Sequence, residues 1–174
     1  MTRAFKAVSS LRMETRGIGR IITFLKGGLA HSSAVAAGAH QHYFVGATTS
    51  MVVNWLAMVF LDPDYPPDEV MLQWHTTDWL GRAYWGANLI GWGKDGTPQR
   101  HFMGSLPPTG EWVRLEVPAQ AVGLTGSAVK VNGMAFTLFG GRAIWDYAGV
   151  CKTSIFQPTR LCVCGIRLRP LPSH

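Results

Sequence analysis

Glu111-Trp112-Val113-Arg114-Leu115-Glu116-Val117-Pro118 is the stretch on which the fold turns. Along an extended chain Val113, Leu115 and Val117 leave one side, and Trp112, Arg114 and Glu116 leave the other. That two-residue period marks a strand with one face against a core, because successive strand side chains point to opposite faces. A helix would need its apolar residues three and four apart. Pro118 offers no amide hydrogen to a ladder and ends the strand.

Working outward, Glu69-Val70-Met71-Leu72-Gln73-Trp74-His75 alternates as well, with Val70, Leu72 and Trp74 on one face. Val52 to Leu61 is a continuous apolar run stopped by Asp62-Pro63-Asp64-Tyr65-Pro66-Pro67-Asp68, a turn-rich loop. Its Val and aromatic content favours a strand over a buried helix. His40 to Gly46, Arg82 to Gly86, Val131 to Phe139 and Arg142 to Tyr147 complete about seven short strands, separated by turn signals. A hairpin or loop with an Asp-Gly turn is expected at Gly91–Pro98, and one short helical turn at Ala119–Leu124. The 20 Gly and 10 Pro of this 174-residue chain suit such an arrangement. No long amphipathic helix alternates with the strands, which disfavours a parallel α/β sheet. The expected fold class is therefore all-β, an antiparallel β-sandwich of jelly-roll type over residues 29–149.

The net charge of +6 hints at a nucleic-acid binder until its distribution is examined. Residues 1–39 hold six Lys/Arg against Glu14, a net of +5, and residues 150–174 hold four Lys/Arg and no acid, a net of +4. The stretch 40–149 carries six Lys/Arg and nine Asp/Glu, a net of −3. A basic groove across the sandwich is thus not supported, and no nucleic-acid partner is expected. Residues 1–28 read as a weakly ordered basic segment and 150–174 as a basic tail carrying Cys151, Cys162 and Cys164. Three late cysteines cannot staple the sandwich, and Cys162-Val163-Cys164 lacks zinc-site spacing. No apolar run is long enough to span a membrane. Lys26 and two glycines interrupt the faintly leader-like stretch after Arg20, so no clear signal peptide is read.

Several phrases occur together in one order: His40-Gln41-His42-Tyr43-Phe44, Leu61-Asp62-Pro63, Val70-Met71-Leu72-Gln73-Trp74, Arg82-Ala83-Tyr84-Trp85-Gly86 and Gly93 to Thr97. Trp112 to Pro118, Asn132-Gly133-Met134-Ala135-Phe136, Gly140-Gly141-Arg142 and Trp145-Asp146 follow. In this the chain resembles a bacterial jelly-roll domain of large secreted or surface multidomain proteins. That domain has no assigned activity and is similar to carbohydrate-binding modules and concanavalin A-like lectin and glucanase domains. The resemblance covers residues 29–149 and implies a sandwich, a glycan partner and a secreted or cell-surface setting. Two departures, before Gly28 and around Ser50–Ala57, imply a missing edge strand and flanks that are not native to the domain.

The strongest candidate site is aromatic. Trp79, Tyr84, Trp85 and Trp92 lie close together with Arg82 and Asn88. Sugar rings have flat C–H faces that stack on indole and phenol rings, and hydroxyls that amides and guanidinium groups bind. Tyr84 and Trp85 must point to opposite faces of their strand, so at most one of them joins a given site. Trp74 and Trp112 read as packing residues. Asp62, Asp64 and Asp68 crowd one loop and form a candidate structural calcium site, although the Gly and distal Glu of a calcium loop are absent. His40 and His42 share a strand face but find no evident third ligand. Nothing resembles a catalytic carboxylate cluster, a nucleophile elbow or a phosphate loop. The expectation is a non-catalytic carbohydrate-binding module that recognises its glycan by aromatic stacking. The rival readings are a structural or adhesion spacer without a ligand and, third, a metal-dependent or hydrolytic enzyme.

Overall fold

The computed structural model describes residues 13–14, 23–24, 31–50 and 52–151. Among these the elements are β1 (Met13–Glu14), β2 (Thr23–Phe24), β3 (His31–Ser32), β4 (Ala39–Thr49), β5 (Asn54–Leu61), β6 (Glu69–His75), β7 (Trp79–Gly86), β8 (His101–Gly104), β9 (Trp112–Pro118), β10 (Val131–Phe139) and β11 (Ala143–Cys151). They form two sheets, a six-stranded one in the order β1-β4-β10-β6-β7-β8 and a five-stranded one in the order β2-β3-β11-β5-β9. The fold is all-β, and no helix among the described residues is long and apolar enough to cross a membrane.

Alternation decides which side of each strand meets the other sheet. Val70, Leu72 and Trp74 of β6, Met134, Phe136 and Leu138 of β10, and Ala83 and Trp85 of β7 come from the six-stranded sheet. Trp55, Ala57, Val59 and Leu61 of β5, Leu115 and Val117 of β9, and Ala143 and Trp145 of β11 come from the other. Together they make one buried core, in which Trp55 packs on Trp74 at 5.5 Å and Phe136 on Trp145 at 5.0 Å between ring centroids. Truncating any of the large members to Ala costs about 3–5 kcal/mol, since a close-packed interior relaxes only in part around the void. Trp74, at 0% exposure, fills the packing role expected of it.

All seven expected strands are present. β3 and β8 were not anticipated, and neither were β1 and β2. β1 pairs with β4 and β2 with β3, each at an outer margin of its sheet. Residues Ala119–Leu124 form hydrogen-bonded turns, closed by Leu124 N–H donating to Ala119 O at 2.8 Å. The segment around Gly91–Pro98 is no two-stranded hairpin, because β7 and β8 run parallel. Their connection, residues 87–100, therefore has to return across the sheet instead of turning back on itself. The expectations for the remainder of 1–30 and for 152–174, including Cys162 and Cys164, lie outside the described residues.

The acidic loop after β5 is a structural corner. Asp62 Oδ1 accepts the amide hydrogens of Asp64 (2.9 Å) and Tyr65 (3.3 Å), while Oδ2 takes the guanidinium of Arg142. The Arg142 amide donates to Tyr65 O at 2.8 Å. Gly141, at φ +65°, lies so close to Tyr65 and Pro66 that a Cβ there would collide with backbone. The Gly140-Gly141 turn thus lets the chain pass from one sheet to the other while held against this loop.

Candidate functional site

The outward side of the six-stranded sheet is built from residues whose parity is opposite to the core. In β4 these are Gln41 and Tyr43, because His42 lies opposite Phe136 and faces in. In β10 they are Gly133, Ala135 and Thr137, in β6 Glu69, Met71, Gln73 and His75, and in β7 Arg82 and Tyr84.

A chain of polar side chains crosses four strands on this face. Gln73 Nε2 donates to Gln41 Oε1 and to Thr137 Oγ1, both at 2.8 Å. Thr137 Oγ1 in turn donates to Gln41 Oε1 at 3.3 Å. Gln73 Oε1 accepts from Arg82 Nε at 2.8 Å, and Arg82 Nη1 donates to Gln99 O at 3.2 Å. Each member fixes the next, so the guanidinium at the far end is oriented by neutral groups alone.

Aromatic rings flank this polar centre. Tyr43 and Trp79 are three strand positions apart, roughly 14 Å at the usual strand spacing. Their ring centroids are nevertheless only 5.5 Å apart, and Trp79 also meets the His75 ring at 5.0 Å. The small residues Gly133 and Ala135 of β10 leave room for the rings to lean together. His75 is held by a 2.6 Å hydrogen bond between Nδ1 and Asn132 Oδ1. On the other flank Phe102, 52% exposed, packs on the Tyr84 ring at 5.2 Å.

Trp79 reaches this face through a bulge. Gly81 lies opposite Trp74, yet His75 lies opposite Trp79 and not Leu80. The extra residue shifts the parity of the strand, as a bulge does when it re-aims a side chain. Without it Trp79 would point into the core.

The loop 87–100 borders the site and is braced from below. Glu69, at 0% exposure, accepts the amide hydrogens of Leu89 (2.6 Å) and Ile90 (2.9 Å) on Oε2. Burial pushes its carboxyl above the usual range, against the pull of those two amides and of the Arg100 charge. Tyr84 donates its hydroxyl to Asp95 Oδ1 at 2.9 Å, and Asn88 Nδ2 donates to Asp95 Oδ2 at 2.8 Å. Burial, then the bond to Asp95 and its negative charge, raise the Tyr84 phenol above its ordinary value.

The sequence-nominated residues therefore divide. Trp79 and Arg82 lie together on the outward face. Tyr84 lies beneath the loop, 3% exposed, and Asn88 ties the loop to Asp95. Trp92 stands exposed on that loop. Trp85 is part of the core and points away from the face, so it takes no part in any site there. Tyr43, Gln41, Gln73, His75 and Thr137 were not nominated. The signal for them was parity: each alternates with a core residue.

Solved structures similar to this chain share little sequence with it. One is a carbohydrate-binding module described with the promiscuous specificity of the β-sandwich superfamily, with 12% identity and a TM-score of 0.48 over 83% of this chain. The chain spans 58% of the length of that protein. A second is the family 11 carbohydrate-binding module of Clostridium thermocellum in complex with a β-1,3-1,4-mixed-linked tetrasaccharide, at 11% identity and TM-score 0.45 over 86% of this chain and 93% of that one. A family 11 module of a cellulosomal cellulase from the same organism gives 10% identity and TM-score 0.45 over 84% and 89%. No protein-family model matches the chain, and no curated protein is similar to it.

Metal-ligand geometry is not assembled at the residues nominated for it. Asp62 is engaged by Arg142 and two amides, while Asp64 and Asp68 are exposed. Among the described residues no group of three His, Cys, Asp or Glu could hold an ion. His40 and His42 are buried in the sandwich, where His42 stacks on Phe136 at 5.5 Å and His40 Nδ1 bonds Gly38 O at 3.2 Å.

Proposed function

We propose that this domain is a non-catalytic carbohydrate-binding module whose glycan lies across the outward face of the six-stranded sheet. One observation carries the reading: Tyr43, Trp79 and His75 cluster beside the Gln41–Thr137–Gln73–Arg82 chain on one surface. A sugar has use for both halves, since its C–H face stacks on the rings and its hydroxyls bond the partly exposed Gln41 amide and Arg82 guanidinium, which the buried Gln73 and Thr137 hold in place from beneath. Because the groups are already tied to one another, binding orders little that was free, which limits the entropic cost of association. Stacking on Trp79, with Trp92 meeting the glycan from the bordering loop, is the contact mode expected.

The test is affinity electrophoresis and intrinsic tryptophan fluorescence of the chain against a broad polysaccharide panel, with Trp79→Ala and Trp92→Ala compared. Binding that falls roughly tenfold or more in Trp79→Ala, about 1.4 kcal/mol, with melting retained, supports the site. A panel in which no glycan is retarded and no fluorescence changes overturns it and favours the spacer.

A further inference from the structure

The charge on this face is not balanced. Among the described residues Arg100 pairs with Asp95 at 3.7 Å, Arg114 with Glu116 at 3.0 Å, and Arg142 with Asp62. Arg82 has no carboxylate within ion-pair distance, and its two hydrogen bonds go to the Gln73 amide and the Gln99 carbonyl. The acids on neighbouring elements are engaged elsewhere. Asp95 is held by Tyr84, Asn88 and Arg100, Glu69 by the amides of Leu89 and Ile90, and Asp78 by the amide of Trp79 at 2.7 Å. Asp78 acts on Arg82 only through its field, and the charge of Arg100 opposes it. The half-buried guanidinium is partly desolvated, which pulls its pKa below the ordinary value.

A neutral sugar would be served as well by another amide at this position, and more cheaply, because an unpaired, partly dehydrated cation is costly. A guanidinium has five N–H donors in a planar fork, two of which are used here. The fork matches an oxyanion better than it matches a hydroxyl. The bordering loop packs against one edge of the fork, at Nη1, and the guanidinium remains partly exposed. Gly93, at φ +84°, presents bare backbone where a Cβ would lie 3.0 Å from Arg82 Nη1.

We propose that this face takes a glycan bearing an anionic oxygen group, a carboxylate or a sulfate ester, with that group on the guanidinium of Arg82. The assignment rests on the carbohydrate reading of the face and adds the class of sugar. Since residues 40–149 carry a net −3, a polyanion gains nothing from the domain at large. Within residues 40–149 selectivity has to come from this one fork, backed by the stacking rings, and the Arg82 variants separate it from attraction to the basic segments 1–39 and 150–174.

The probes are uronate polysaccharides (polygalacturonate, alginate) and sulfated galactan, each paired with its carboxyl-reduced or desulfated counterpart, titrated calorimetrically at moderate salt. At least one acidic polymer is expected to bind tenfold or more tightly than its neutral partner. Preference for the uronates assigns a carboxylate, and preference for the galactan a sulfate. Arg82→Gln should erase the acidic-over-neutral ratio, while Arg82→Lys keeps the charge without the fork and should retain only part of it. Melting curves and circular dichroism establish that the variants fold. If neutral polymers bind as well as acidic ones and Arg82→Gln leaves the ratio unchanged, the anion assignment is overturned and the glycan reading stands. If neither acidic nor neutral polymers bind, both are overturned.

Discussion

The two outward faces of the sandwich are built on the same alternating rule and have opposite character. On the six-stranded sheet the outward residues include Tyr43 and His75 beside Gln41, Thr137, Gln73 and Arg82, the last four joined by hydrogen bonds through the row. On the five-stranded sheet they include Met58, Phe60 and Trp112, with Phe60 and Trp112 in ring contact at 5.8 Å. There, among the described residues, the ion pair is Arg114 with Glu116 along β9, with Asn54 donating to Glu116 at 3.0 Å. An aromatic ring alone therefore does not define a site in this molecule. Trp79 and Trp112 are both partly exposed, yet only Trp79 adjoins a fixed polar array.

The pair Trp79→Ala and Trp112→Ala tests that contrast most strongly. The former should weaken glycan retardation on affinity gels by tenfold or more, and the latter should leave it within about twofold. Equal losses would erase the distinction between the faces. Gln73→Leu comes next. It removes the acceptor of Arg82 Nε and the donor to Gln41 and Thr137, leaving buried polar groups unmatched at about 1–3 kcal/mol of stability. Chemical denaturation should show that loss, with a several-fold fall in glycan affinity beside it.

The smallest effect is a pH dependence that sharpens the comparison between the site loop and the Asp62 corner. The raised Glu69 carboxyl binds its proton more tightly in the folded state than in the unfolded state. Its contribution to stability is therefore full below the ordinary value of 4.5 and is lost as the pH rises through its folded value. For Asp62, burial alone would raise the carboxyl, but the Asp64 amide and the Arg142 bond and charge hold it below 3.8. Its stabilisation is present above 3.8 and is lost as the pH falls through the lowered value. Melting temperature measured from pH 3 to 8 should thus fall less steeply on the neutral side in Glu69→Gln than in the unaltered chain. A profile identical in both would show that Glu69 does not titrate in that window.

Much of the fold is legible in the chain because its strands obey a period of two. Trp112 to Pro118 and Glu69 to His75 face inward and outward as their alternation dictates. The same parity already separated Tyr84 from Trp85, though it could not say which of them was core. Trp85 is, because Ala83 and Trp85 meet the opposite sheet. β8 escaped notice because four residues, His101–Gly104, are too few to show a period. The acidic loop read as a cation site because carboxylates and prolines crowd there in sequence, whereas folding brings Arg142, eighty positions away, onto Asp62.

Sequence by itself determined that the described chain is a two-sheet sandwich and which side chains of each regular strand share a face, since alternation is a local property of extended backbone. Tertiary structure alone decided that Gln41, Gln73, Arg82 and Thr137 form one connected row, for hydrogen bonds across strands depend on register. It also decided that Trp79 joins them, because a single-residue bulge between Trp74 and His75 and their partners reverses the face on which that ring emerges.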